Sequence, residues 1–165
     1  MANWVSLDTI GPNITKVYTS AEFDLGTRIL AKDVSTTAYG TGEFIFLKGV
    51  ASTIAGSFVT YNQDDYTTAL LAANAIGPVA ISMSANTAAT TYGWYQIFGK
   101  AVGKVLAAFA DNGICYGTGT AGSVDDAVVV GDRVQGCKGA SAIDTPTTGF
   151  AEMEISYPSV NDIPD

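Results

Sequence analysis

The sequence predicts an all-β protein with a single domain, a β-barrel or β-sandwich of jelly-roll or tulip-like type with an extended N-terminal arm. Three observations favour this fold: apolar and polar residues alternate with a period of two, Gly and Asp clusters separate short apolar segments, and helical patterns are scarce. A chain of 165 residues is typical of one domain. We predict an arm or edge region over residues 1–40, a β core over 41–157 and a C-terminal tail over 158–165.

The clearest strand covers residues 150–157. Met153, Ile155 and Tyr157 occupy every second position and are predicted to face the core, while the other face of the strand carries Glu152, Glu154 and Ser156. Proline cannot donate a hydrogen bond to a neighbouring strand, so Pro158 is predicted to end this strand and to begin the tail.

Further strands are predicted where aromatic and β-branched residues are frequent. They cover residues 44–50, 57–61, 78–84, 94–98, 99–107, 114–116 and 128–135. Residues 44–50 are apolar enough to be buried on both faces of a sheet.

Only residues 66–74 are predicted to form a helix, because they are rich in Ala and Leu and follow two suitable caps, Asp64 and Asp65. Residues 101–110 also have a helical composition. Gly99 and Gly103 favour a strand there instead, which leaves the predicted fold almost free of helix.

The chain is acidic and carries few charges. Its formal net charge is −8 and its eight Lys and Arg residues are scattered, so neither a nucleic acid nor a membrane is expected as a partner. Its most apolar window, residues 101–110, is too short to span a bilayer. Charged residues make up 15% of the chain, which favours a surface that packs against partner proteins. The alternative is a soluble monomer coated with Ser, Thr and Asn.

The N-terminal residues lack the basic region and the apolar stretch of a secretory signal, so we expect synthesis in a host cytoplasm. Thiols stay reduced there, which favours free thiols over a disulfide for Cys115 and Cys137. Two cysteines without histidine are a poor zinc site. We expect no metal or other cofactor.

The chain contains no histidine, which excludes Ser–His and Cys–His catalysis. Glu152 and Glu154 have a spacing compatible with a glycosidase pair, but a solvated strand face explains them better because no aromatic platform accompanies them. Asp125 and Asp126 follow a Gly-rich loop and indicate a turn, with a loop Ca²⁺ site as the alternative. We therefore expect a structural or binding protein and not an enzyme.

Large apolar residues are frequent in the N-terminal arm but follow no clear period. They are Trp4, Ile10, Ile14, Val17, Tyr18 and Phe23. A free arm would not keep so many apolar groups, so they pack either on the core of their own chain or on a neighbouring subunit. Together with Trp94, which points away from Tyr95 on one strand, they are the candidate interface residues. If they bind a neighbour, a chain without residues 1–24 is expected to fold but no longer to bind its partner.

Four segments of the second half form a recognisable combination: residues 92–102 (YGWYQIFGKAV), 120–127 (TAGSVDDA), 131–136 (GDRVQG) and 151–158 (AEMEISYP). This combination resembles the capsid decoration and head-fibre-like structural proteins of tailed phages. The likeness covers residues 77–157, about half of the chain. That family carries no catalytic signature, so the resemblance assigns no functional residues.

The resemblance implies a small β-rich subunit on the outside of the virion, often a homotrimer, that binds the major capsid protein and stabilises contacts between its subunits. An acidic, sparsely charged chain without a catalytic motif is consistent with this function. The alternative is a receptor- or carbohydrate-binding β module of a phage tail or fibre. That alternative requires exposed aromatic residues with Asp or Asn nearby.

Overall fold

The computed structural model describes residues 2, 4–6 and 11–163. All regular structure within those residues is β, which confirms the predicted all-β fold. The strands form one sheet with antiparallel pairing between them. They are β1 (Trp4–Ser6), β2 (Arg28–Asp33), β3 (Thr41–Lys48), β4 (Phe58–Tyr61), β5 (Thr68–Leu70), β6 (Gly77–Ser82), β7 (Tyr92–Lys104), β8 (Ile114–Gly117), β9 (Val124–Asp125), β10 (Arg133–Gly139) and β11 (Phe150–Val160).

One part of the sheet closes into a ring. β7 pairs with β11, and β10, β8 and β9 follow in spatial order. A parallel bridge between Val105 and Val124 then links β9 to the residue after β7. Buried apolar side chains from all five strands meet inside, among them Met153 and Cys115. The ring is therefore a small barrel with an apolar core, to which Phe58 of β4 and Val79 and Ile81 of β6 also contribute.

The rest of the sheet extends from the first half of β7, with β3, β2 and β1 on one side and β6, β4 and β5 on the other. Its central strand β3 is buried on both faces, as predicted. Phe44 and Phe46 pack into a cluster on one face, whereas Ile45 and Leu47 pack into a second cluster on the other face.

The segment before β2 covers the face of Phe46. Ile14 and Tyr18 are fully or almost fully buried in that cluster. Tyr18 and Tyr92 also exchange two backbone hydrogen bonds of 2.8 Å. Residues 11–24, within the region expected to be an extended arm, are therefore a layer of the chain's own fold, held by backbone hydrogen bonds and by apolar burial.

The predicted helix at residues 66–74 is wrong. Asp65 accepts hydrogen bonds from the N–H (3.1 Å) and the hydroxyl (2.7 Å) of Thr67, so it closes a turn instead of capping a helix. The following residues pair with β4 as β5, and Leu71 is buried in the barrel. Strand pairing and burial outweigh the small differences in helix propensity between residues.

The C-terminal tail begins later than predicted, because β11 continues through Pro158 to Val160. Residues 156–158 of β11 lie opposite the single residue Gly136 of β10, which forms a bulge. A proline is tolerated in a bulge because its missing N–H is not needed for the ladder.

Candidate interaction surfaces

Of the six residues proposed as an N-terminal interface, Trp4, Ile14 and Tyr18 are buried inside their own chain. Trp4 is 7% exposed, and its ring packs edge-on against Phe44 with 5.0 Å between the ring centroids. Phe23 is half-buried and packs edge-on against Tyr18 at 5.7 Å. Ile14 has no exposed surface. Of the two alternatives for this segment, the structure shows packing on the chain's own core.

Trp94 and Tyr95 point to opposite faces of β7, but both faces are covered. The Trp94 ring packs against Phe46 at 5.1 Å, and the Tyr95 hydroxyl accepts a hydrogen bond of 2.9 Å from the Asn86 amide. Both side chains are fully buried. Trp94 is therefore a core residue, which corrects its assignment as a candidate interface residue.

Two candidate interface residues remain. Val17 is half-buried. Ile10 lies outside the residues that the structure describes.

Strongly exposed aliphatic residues occur on three other segments. Val128 and Val130 are each 73% exposed, in a loop where the sequence predicts a strand; β10 begins only at Arg133. Ile76 is 70% exposed and Ile163 is 66% exposed. We call Ile76, Val128, Val130 and Ile163 the aliphatic end.

Contacts between the loops bring these segments together. The Asp132 carboxylate accepts a 2.6 Å hydrogen bond from the N–H of Asn74, which connects the valine loop to the segment of Ile76. Asp162 lies so close to Gly131 that a side chain at Gly131 would touch it. The Asn74–Asp132 hydrogen bond and the approach of Asp162 to Gly131 therefore bring the three segments close to the turn at residues 131–132.

Acidic residues of the sequence motifs position these loops. The Asp126 carboxylate accepts a hydrogen bond of 3.0 Å from the N–H of Ala110, and Asp125 accepts one of 2.9 Å from the N–H of Asp126. Both carboxylates thus take part in loop hydrogen bonds, as turn residues do. Among the described residues, no three or more His, Cys, Asp or Glu side chains are grouped as metal ligands.

Glu152 and Glu154 form separate ion pairs. Glu152 lies 2.8 Å from the Lys100 ammonium group, and Glu154 lies 3.2 Å from that of Lys138. Their neighbour Met153 is fully buried, so the glutamates occupy the outer face of β11 as predicted. The two carboxylates therefore form ion pairs with lysines of the two neighbouring strands, β7 and β10.

The two cysteines are neighbours inside the barrel. Cys115 and Cys137 are free, and Cys137 Sγ donates a hydrogen bond to Cys115 Sγ at 3.1 Å. That hydrogen bond, followed by burial, raises the pKa of Cys137 well above its ordinary value. The thiol of Cys137 is therefore protonated at neutral pH.

Two aromatic rings are exposed side by side on the outer surface. Phe98 is 42% exposed and Tyr157 is 53% exposed, with 5.4 Å between the ring centroids. The Tyr157 hydroxyl donates a 2.5 Å hydrogen bond to Glu43, which also raises the pKa of Tyr157. The alternation along β11 predicts that Tyr157 is buried, and the bulge opposite Gly136 reverses this.

Comparisons of the chain with protein-family models, with curated proteins and with solved structures find no match. No helix in the described part of the chain is long and apolar enough to cross a membrane.

Proposed function

We propose that the protein is a virion structural protein that binds the outside of a tailed-phage capsid and stabilises contacts between major capsid subunits. In this proposal it is a homotrimer that binds the major capsid protein and has no catalytic activity. The resemblance of its motifs to decoration proteins supports the proposal. An acidic all-β chain with few charged residues is consistent with it.

The aliphatic end is the observation that carries the proposal. Burial of one large aliphatic side chain contributes roughly 1.5–3 kcal/mol. Because the four residues are 66–73% exposed, a partner that covers them gains roughly 4–8 kcal/mol before the cost of association. Three copies in a trimer would combine these contributions through avidity.

Charge around the aliphatic end indicates the kind of surface that it fits. Asp126 and Asp162 are carried by the same loops as the aliphatic residues, and the whole chain has a net charge of −8. A basic patch between capsid subunits complements this arrangement. Binding to heads is therefore expected to weaken as salt concentration rises.

Co-sedimentation with undecorated phage heads tests the proposal. The double variant Val128→Ser, Val130→Ser is expected to bind at least about tenfold more weakly, because it removes two exposed aliphatic anchors. The control is Leu30→Ser, Val34→Ser, which changes two half-exposed aliphatic residues elsewhere on the surface. Both variants should melt like the unchanged protein. Equal binding by the unchanged protein and the Val128, Val130 variant contradicts the proposal.

The second candidate function is receptor or carbohydrate binding. The exposed pair of Phe98 and Tyr157 favours it, because exposed aromatic rings next to polar side chains are the feature that such a site requires. A capsid decoration protein is displayed on the virion surface, so both functions are compatible in one chain.

A further inference from the structure

An open hollow of about 380 Å³ lies beside the Tyr157 ring. Phe98 does not line this hollow but packs against Tyr157, so it supports the ring from outside. Both polar and apolar side chains line the hollow. Besides Tyr157, they include Arg28, Tyr61, Gln63, Pro78, Ser159 and Asn161.

The polar groups of the hollow offer both donors and acceptors. Gln63 and Asn161 are exposed amides, each able to donate and accept, and Ser159 adds a hydroxyl. An aromatic ring presents an apolar face next to these groups. A sugar ring has the matching chemistry, with C–H groups on one face and hydroxyls around its edge.

The charges of the hollow are already compensated. The Arg28 guanidinium group lies 3.7 Å from the Glu43 carboxylate. Burial raises the pKa of the Tyr61 hydroxyl, an effect that Arg28 partly opposes, so Tyr61 remains neutral. The hollow therefore favours an uncharged ligand over a phosphate or a carboxylate.

The backbone holds Tyr157 in an unusual conformation at this position. Its φ is 46°, in the left-handed region that bulky residues rarely adopt, and Gly136 opposite has a φ of 71°. Such strain tends to collect at binding sites, where the surrounding structure imposes it. Here it places an aromatic ring on the surface at the edge of a polar hollow.

We propose that this hollow binds a neutral saccharide, with one sugar ring stacked on Tyr157 and its hydroxyls bonded to Gln63, Ser159 and Asn161. The inference rests on the second proposed function, to which it gives a site and a ligand class. It does not depend on the aliphatic end.

The test is an NMR titration of the full chain with soluble oligosaccharides. The neutral probes are tetrasaccharides of glucose, mannose, galactose and N-acetylglucosamine, and the anionic comparators are sialyllactose and a heparin tetrasaccharide. At least one neutral probe is expected to shift the amide signals of Tyr157, Ser159 and Asn161 in a saturable way. The proposal is overturned if no neutral probe shifts these signals, or if only the anionic probes do.

Variants separate stacking from general surface effects. Tyr157→Ala is expected to weaken binding at least about tenfold, whereas Tyr157→Phe, which keeps the ring, stays within about threefold. Leu30→Ala, an exposed residue that does not line the hollow, is the matched control. Unchanged affinity of a folded Tyr157→Ala protein also overturns the proposal.

The two proposals fail separately. The Val128→Ser, Val130→Ser protein is expected to bind saccharide normally, and the Tyr157→Ala protein is expected to sediment with heads. Saccharide binding without head binding would remove the capsid proposal and keep this site. Head binding without saccharide binding would keep the capsid proposal and remove this site.

Discussion

Asp33 is a single carboxylate that organises a whole turn at the end of β2. It accepts hydrogen bonds from the N–H (3.0 Å) and hydroxyl (2.9 Å) of Ser35 and from the hydroxyl of Thr36 (2.6 Å). Burial by itself raises the pKa of Asp33, but the hydrogen bonds from Thr36 and Ser35 outweigh burial and hold the pKa well below its usual range.

This lowered pKa has a defined consequence for stability. A carboxylate whose folded pKa lies below the unfolded value of about 3.9 stabilises the protein above that pH, and the contribution is lost as pH falls toward the folded pKa. Asp33→Asn is therefore expected to lower the melting temperature at pH 7 and to flatten its fall below about pH 4. Melting curves from pH 2 to 7 measure this, with the exposed Asp64→Asn as the control. Equal pH profiles for the unchanged protein and Asp33→Asn would show that Asp33 does not contribute.

The cysteine pair gives a second prediction for single residues. Cys115 and Cys137 are 0% and 7% exposed, and the raised pKa of Cys137 keeps its thiol protonated. Alkylation by iodoacetamide is therefore expected to be slow in the folded protein and complete at both residues in denaturant without a reductant. Mass spectrometry counts the labels. Absence of label in denaturant would mean that the two cysteines form a disulfide.

Among the larger elements, the segment before β2 has the clearest energetic role. Removal of residues 1–24 takes Ile14, Tyr18 and Phe23 away from Phe46 and Trp94. The loss is roughly 5–9 kcal/mol of apolar burial, comparable with the whole stability of a typical domain. The truncated chain is therefore expected to remain unfolded, which reverses the expectation that follows if the segment binds a neighbour.

Circular dichroism and urea unfolding of the truncated chain measure this effect. Point variants keep the test informative: Ile14→Ala is expected to cost about 2–5 kcal/mol, because it leaves a cavity in a fully buried cluster. Val17→Ala, at a half-buried position nearby, is expected to cost less than about 1.5 kcal/mol. A stable, folded truncated chain would instead support docking of the segment on a neighbour.

At the scale of the whole molecule, β7 connects the two parts of the fold. Its first half pairs with β3 and β6, and its second half pairs with β11. The sequence predicts two shorter strands here, at residues 94–98 and 99–107. The structure shows one strand that passes through Gly99 at a φ of 102°, a conformation that glycine adopts readily.

Both proposed surfaces also depend on contacts between segments that are distant in the sequence. The segments of Ile76, Val130 and Ile163 are far apart in the sequence, and they are brought near one another by the Asn74–Asp132 hydrogen bond and by the approach of Asp162 to Gly131. Phe98 and Tyr157 meet because β7 and β11 are neighbours in the sheet. No local pattern in the sequence marks either surface.

The fold class, the buried strand at Phe44 and Phe46 and the outward glutamates of β11 could be predicted from the sequence, because they depend on the alternation of neighbouring residues. The burial of Ile14 and Tyr18, the exposure of Val128 and Val130, and the outward position of the Tyr157 ring follow from tertiary contacts that the sequence pattern does not show. Each of these depends on which distant strand or loop lies opposite. The hydrophobicity of a residue alone does not predict whether other parts of the chain bury its side chain. Burial is a property of the assembled sheet, whereas alternation is a property of the chain.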